Sequence, residues 1–329
     1  MKTSTKIITL PIMRRVKVIS VNSELGAGSR GAGLGFDAIR VAAWTKGSRY
    51  FKEHPPLIIQ SNNDEVLDDI ETAYSVKIQF IVEMYKRIAE AVIETMKKKE
   101  FPIIISGDHS NAGGTIAGLK MAYPKDTLGV IWIDAHADLH SPYTTPSGNL
   151  HGMPLATATA LDNKVCQINQ PEKKTIEAWE KLKKLGGISP KITFKDLVYI
   201  AGRDMEKAEK FIIKKNNVRI YSVQKMRETG IQSVVDDAIK RLGHCDRIYV
   251  SFDVDSMDAN VSRGTGTPVK SGLYESEAFQ LMSALAKQEK VCCMEITEVN
   301  PTLDNKKNLM AEIALEILEQ FTHEVEKRL

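Results

Sequence analysis

Thiols are scarce in this chain. Cys166, Cys245, Cys292 and Cys293 are its four cysteines, no pair has C-x-x-C spacing, and the adjacent pair falls in an apolar run. That usage fits a reduced, cytoplasmic protein with inert thiols rather than a disulfide framework. There is also no stretch of 18 successive apolar residues, and the charged N-terminus has no apolar run of signal-peptide length. Export and membrane insertion are therefore not expected. Net charge is nearly absent too: 45 basic against 42 acidic side chains leave +3, and no basic block alternates with aromatics. A nucleic-acid partner has no electrostatic basis here. The Lys-rich runs at 97–99 and "EKLKKL" at 180–185 read as solvated helix faces. Internal repeats and low-complexity segments are missing as well.

What the chain does have is apolar content, 43% of its 329 residues, enough for a sizeable core. Seven short runs carry much of it: "KVISV" at 17–21, "PIIIS" at 102–106, "LGVIWI" at 128–133, "LVYIA" at 197–201, "VRIYS" at 218–222, "RIYVSF" at 247–252 and "VCCMEI" at 291–296. Unbroken runs of this length suit parallel strands buried on both faces. Between them, helical periodicity predicts helices over 71–99, 113–122, 175–185, 205–214, 231–242, 275–287 and 308–328. Such alternation implies an α/β class and a wound parallel sheet. No shift in composition divides the chain, so residues 1–329 are expected to form one domain. The gap at 144–192 holds Pro146, Pro154, Pro171 and Pro190, which points to elaborated loops and an insertion at 162–192.

Three of the apolar runs stop abruptly at acids and imidazoles. "PIIISGDHS" ends in Asp108 and His109, "VIWIDAHADLH" in Asp134, His136, Asp138 and His140, and "IYVSFDVDSMD" in Asp253 and Asp255. Strand ends in a parallel sheet converge on a ligand crevice. The i, i+2 spacing throws Asp134, His136 and Asp138 to one side, and Asp253 with Asp255 likewise. Four carboxylates gathered in one crevice repel one another unless cations are present. Carboxylate and imidazole donors suit Mn(II), Co(II), Fe(II) or Zn(II), and six donors exceed the needs of one tetrahedral ion. Two ions bridged by Asp would use them all. Asp258, a lone acid after the strand, reads as a turn former.

These motifs resemble those of the arginase, or ureohydrolase, family of dinuclear manganese enzymes. "SGDHS" at 106–110, "DAHAD" at 134–138, "SFDVDSMD" at 251–258 and "EVNP" at 298–301 occur in the family's order, and the likeness runs from "GAGSRGAGLGFDAIR" at 26–40 to the last helix. The resemblance implies a single-domain three-layer αβα fold with a central mostly parallel sheet. It implies that His109, Asp134, Asp138 and Asp253 hold one Mn(II), and that Asp134, His136, Asp253 and Asp255 hold the other. A hydroxide shared by the two ions would then attack a guanidinium carbon. It further implies Asp138 as proton shuttle, Glu298 as partner of the guanidinium, Thr267 at the rim, and a trimeric or hexameric homo-oligomer. The glycine-rich stretch at 26–35, with Arg30, is implied to lie beside the site; it lacks the acid that a dinucleotide fingerprint requires.

The loop "SPYTTPSGNLHGMP" at 141–154 resembles the arginase version rather than the agmatinase one. By that likeness His151 relays protons, while Ser147 and Asn149 grip an α-carboxylate, so L-arginine, cleaved to L-ornithine and urea, is the expected substrate. Two positions depart from the pattern. His140 stands where the family has Asn on the carboxylate, and Glu206, after "GRD", where it has Asp on the α-amino group. Agmatine, guanidinobutyrate and formiminoglutamate are the alternative small-molecule substrates, and a non-catalytic member of the fold is the alternative role.

Overall fold

The computed structural model describes residues 15–68 and 72–329. The apolar runs become strands β1 (Arg15–Val21), β3 (Glu100–Ser106), β4 (Leu128–Ile133), β5 (Leu197–Ile200), β6 (Arg219–Tyr221), β7 (Arg247–Asp253) and β8 (Val291–Thr297). An eighth, β2 (Leu57–Ile59), was not expected: it is three residues long, follows Pro55 and Pro56, and exposes two of its side chains. The eight form one sheet in the order β2-β1-β3-β8-β7-β4-β5-β6, and every neighbouring pair is parallel. All residues of β3, β4, β5, β7 and β8 are buried, which is why these segments show no alternation.

Helices cover both faces. One layer holds Ile78–Lys97, Ala112–Ala122, Pro154–Thr159 and Lys173–Lys183; the other holds Gly35–Thr45, Ile231–Arg241, Glu275–Ala286 and Leu309–Glu326. The helix expected over 71–99 begins only at Ile78, after Lys77 in a left-handed conformation; residue 71 lies outside the described residues. Within the 162–192 insertion, Lys173–Lys183 packs Trp179 and Leu182 against Ile78, Ile81 and Val82, a second apolar cluster beside the main core. Asp162 pins that helix by accepting from Trp179 Nε1 at 3.0 Å and Lys183 Nζ at 2.7 Å. Among the described residues, no helix is long and apolar enough to cross a membrane.

The register explains where the chemistry falls. Ile105, Ile296, Phe252 and Ile133 lie in one row across β3, β8, β7 and β4. These are the four central strands, and β8, last in the chain, is the strand that joins β3 to β7. One to five residues past this row come Asp108, Glu298, Asp253 and Asp138, so segments far apart in sequence open on the same crevice.

Candidate metal centre and active site

His109 leads a short helical turn after β3, with Asp108 as the cap that accepts from Ser110 N at 2.7 Å. Its ring stacks on Trp132 at 4.0 Å between centroids and 6° between planes. Nε2 lies 2.7 Å from Ser251 Oγ. Nδ1 is buried with no hydrogen-bond partner, yet it stands 3.0 Å from Asp134 Oδ2, 3.1 Å from Asp138 Oδ2 and 3.1 Å from Asp253 Oδ2. An orphaned nitrogen facing three carboxylate oxygens is a donor set shaped for a cation.

The second half of the centre shares Asp134. His136 Nδ1 is 2.8 Å from Asp255 Oδ2 and 3.4 Å from Asp134 Oδ1. The donor atoms of His109, Asp134 and Asp138 lie within 4.8 Å of one another, as do those of Asp134, His136 and Asp255. Around them, Trp132 Nε1 donates to Asp134 Oδ2 at 3.0 Å, Ala135 N to Asp255 Oδ1 at 3.1 Å, and Thr267 Oγ1 to Asp255 Oδ2 at 3.0 Å. These bonds aim the carboxylates before anything binds.

Electrostatics point the same way. Burial, then the charge of Asp134, pushes Asp138 up to about 7. Burial and the charges of Asp255 and Asp134 push Asp253 well above the carboxylate range. Asp134 alone is held below its ordinary value, because the imidazoles of His109 and His136 outweigh its burial. His109 is driven well up despite its burial, by the three carboxylates around Nδ1. Metal-free, the cluster gathers protons; cations would take their place and leave all four acids ionised. The residues fit the metal centre that their chemistry implies.

A cleft of about 240 Å³ opens above the cluster, and His140, Ser147, Asn149, His151, Glu206 and Thr267 all line it. Glu298 does not. It sits behind His109, accepting from His109 N at 2.9 Å through Oε1, which is also 3.4 Å from His151 Nδ1. Burial lowers His151, but that carboxylate more than reverses the effect and raises it to about 9. Asp138 and Glu298 both have positive φ, 50° and 66°, a conformation that costs about 1 kcal/mol or more and marks sites where geometry is imposed. His140 Nε2 faces Glu206 Oε2 and Glu209 Oε2, each at 3.7 Å. Arg30 turns away and donates to Glu24 O and Ala27 O of its own loop, while Gly28 lies against the Asn149 amide, where a Cβ would come within 2.6 Å.

Sequence reading missed two acids at the rim and one hydroxyl beneath it. Glu209, buried, accepts from Leu139 N at 3.1 Å and Glu206 N at 2.9 Å; Asp204 faces His136 Nε2 at 3.9 Å. The hydroxyl is that of Ser251, and the polar letter within "IYVSFDV" was its only signal.

The arginase family model matches residues 14–323. The chain belongs to the arginase family. The arginase of Bacillus subtilis (strain 168) is 32% identical over 310 residues, spanning 94% of this chain and 97% of its own. The solved arginase of Bacillus caldovelox superposes with a TM-score of 0.81 at 30% identity, covering 94% of this chain and 98% of that one. A formimidoylglutamase from Bacillus subtilis shares the fold, with a TM-score of 0.71 at 21% identity over 96% and 88% of the two chains. The three-layer αβα fold is the one these arginases share, and the Asp and His groups of the crevice could hold metal.

Proposed function

We propose that the chain is an arginase that hydrolyses L-arginine to L-ornithine and urea with two Mn(II) ions. The carrying observation is the convergence of His109 Nδ1 with Asp134, Asp138 and Asp253, beside His136 with Asp134 and Asp255. In this reading His109, Asp134, Asp138 and Asp253 would hold one ion, and Asp134, His136, Asp253 and Asp255 would hold the other. When bound, such a pair supplies a hydroxide nucleophile near neutral pH. Co(II), Fe(II) and Zn(II) suit the same donors and are the alternatives to Mn(II).

The chain's own groups then do the rest. Asp138, with Oδ2 turned to His109, carries the nucleophile's proton on its other oxygen toward the leaving amine. Glu298, buried behind His109 with its Oε1 tied to His109 N, leaves Oε2 as the oxygen that would meet a guanidinium reaching past the His109 ring and fix its angle. His151, about a quarter exposed, passes protons between cleft and solvent. Ser147, Asn149 and the His140 ring receive the α-carboxylate. The acids at the rim, Asp204, Glu206 and Glu209, suit an ammonium, which favours L-arginine or agmatine over guanidinobutyrate and formiminoglutamate with their anionic tails.

Urea release from L-arginine, agmatine and guanidinobutyrate, with formamide release from formiminoglutamate, by Mn(II)-reconstituted protein tests the reading. L-Arginine should be turned over, and Asp134→Ala or Asp253→Ala should abolish turnover together with metal content. No urea from any compound would sink it. A cytoplasmic homo-oligomer, trimer or hexamer, completes the proposal; sedimentation of the loaded protein reports the state.

A further inference from the structure

Away from the cleft, the described residues bring together another set of metal-ligating side chains: Asp196, His244 and Cys245. Asp196 immediately precedes β5, and Cys245 lies two residues before β7. The cleft is at the opposite ends of these strands; the seven residues of β7 put roughly 20 Å between the two places. Between β5 and β7 runs β4, and its Gly129 is what admits the thiol. A Cβ there would stand 3.1 Å from Cys245 Sγ.

The three donor atoms form a triangle of definite size. His244 Nε2 is 2.8 Å from Asp196 Oδ1, Cys245 Sγ is 3.5 Å from His244 Nε2, and the same sulfur is 3.8 Å from Asp196 Oδ1. Zinc bonds of about 2.3 Å to sulfur and about 2.0–2.2 Å to nitrogen and oxygen, at tetrahedral angles, require ligand separations of roughly 3.4–3.6 Å. The two sulfur distances lie within about 0.2 Å of this range, and the His244–Asp196 pair, now hydrogen-bonded, must open by about 0.6 Å to admit the ion. Asp196 is prepared for this: its Oδ2 is held by Thr193 N and Thr193 Oγ1, both at 2.8 Å, so Oδ1 is left to face the other two. Lys290 Nζ fixes the turn that carries the pair, donating to Gly243 O at 2.6 Å and Cys245 O at 2.8 Å. The sulfur is buried, while the imidazole is nearly half exposed and gives an ion its way in.

We propose that Asp196 Oδ1, His244 Nε2 and Cys245 Sγ form a site for one zinc-class divalent cation, with water as fourth ligand. Thiolate with imidazole selects Zn(II) or Co(II) over Mn(II), so the two centres sort their metals by donor type. A cation bound here takes the place of the Cys245 thiol proton. Binding releases that proton to solvent and staples the starts of β5 and β7 across β4. Cys245, read from sequence as inert, becomes a ligand.

Co(II) titration of the Mn(II)-loaded enzyme tests this, because no cysteine or methionine is among the described residues that line the cleft and a near-ultraviolet thiolate-to-cobalt charge-transfer band, with the cysteine variants below, reports this site. The expected result is a band saturating at one equivalent per chain, unchanged in Cys166→Ser, absent in Cys245→Ser and weakened at least about tenfold in affinity in His244→Ala. Urea release by Cys245→Ser, unchanged, shows that the variant folds. No band, or a band that persists in Cys245→Ser, overturns the proposal.

Discussion

Ser251 Oγ stands 2.7 Å from His109 Nε2, on the side of the ring opposite the Nδ1 that faces the carboxylates. A cation on Nδ1 would leave the ring proton on Nε2, where the serine oxygen can accept it. Ser251→Ala is expected to weaken metal affinity about 10- to 100-fold, read by competition with a metal-indicator dye, and activity should return at saturating Mn(II). An unaltered affinity would count against the tautomer assignment.

Glu209 is a buried carboxylate whose oxygens orient Leu139 N and Glu206 N while facing His140. Glu209→Gln keeps the shape and removes the charge that an ammonium would meet. A loss of about 1 kcal/mol in substrate-tail binding raises KM roughly fivefold with kcat little changed. Steady-state kinetics at constant metal content separate this from a catalytic role, in which kcat would fall instead.

Lys191 lies buried at the C-terminal end of the helix Lys173–Lys183, its Nζ donating to Lys183 O at 2.7 Å and to Leu182 O and Ile188 O at 3.3 Å. Burial lowers it from 10.5 to about 8. Below pH 8 both folded and unfolded chains carry the proton and the burial cost is fully present. Between about 8 and 10.5 only the unfolded chain holds it, so stability rises with pH by up to about 3 kcal/mol. Urea-denaturation midpoints at pH 7.5 and 9.5 should therefore differ more in the parent than in Lys191→Met.

Gly118 is where the helices Ile78–Lys97 and Ala112–Ala122 touch. A Cβ at this position would come within 2.8 Å of Val92 Cβ and 2.9 Å of Ala89 Cα. Helix propensity gains about 1 kcal/mol for Gly118→Ala, but overpacking against backbone costs about 1–3 kcal/mol. Net destabilisation with unchanged metal affinity is expected in chemical denaturation.

The central strands and the convergence of acids and imidazoles beyond them were legible because burial on both faces writes unbroken apolar runs, and acids at i, i+2 beyond such runs have no cheap structural role. β2 was hidden by its length and exposure. Glu209 was hidden by its setting: "EKAEKF" reads as a charged helix face, and only the docking of its first turn on Leu139 buries the acid. Asp196 with His244 and Cys245 was invisible for a different reason. Its members are 48 and 49 residues apart, and only the pairing of β4 with both β5 and β7 makes them neighbours.

The position of β8 has a consequence for the order of assembly during synthesis. A ribosome delivers β1, β2 and β3 early and β4 to β7 later, but the seam between these two half-sheets is filled by residues 291–297. Until that strand emerges, His109 belongs to one half and the aspartates to the other. The metal pocket is thus assembled only near the end of translation, and a chain cut short before residue 291 should emerge without it.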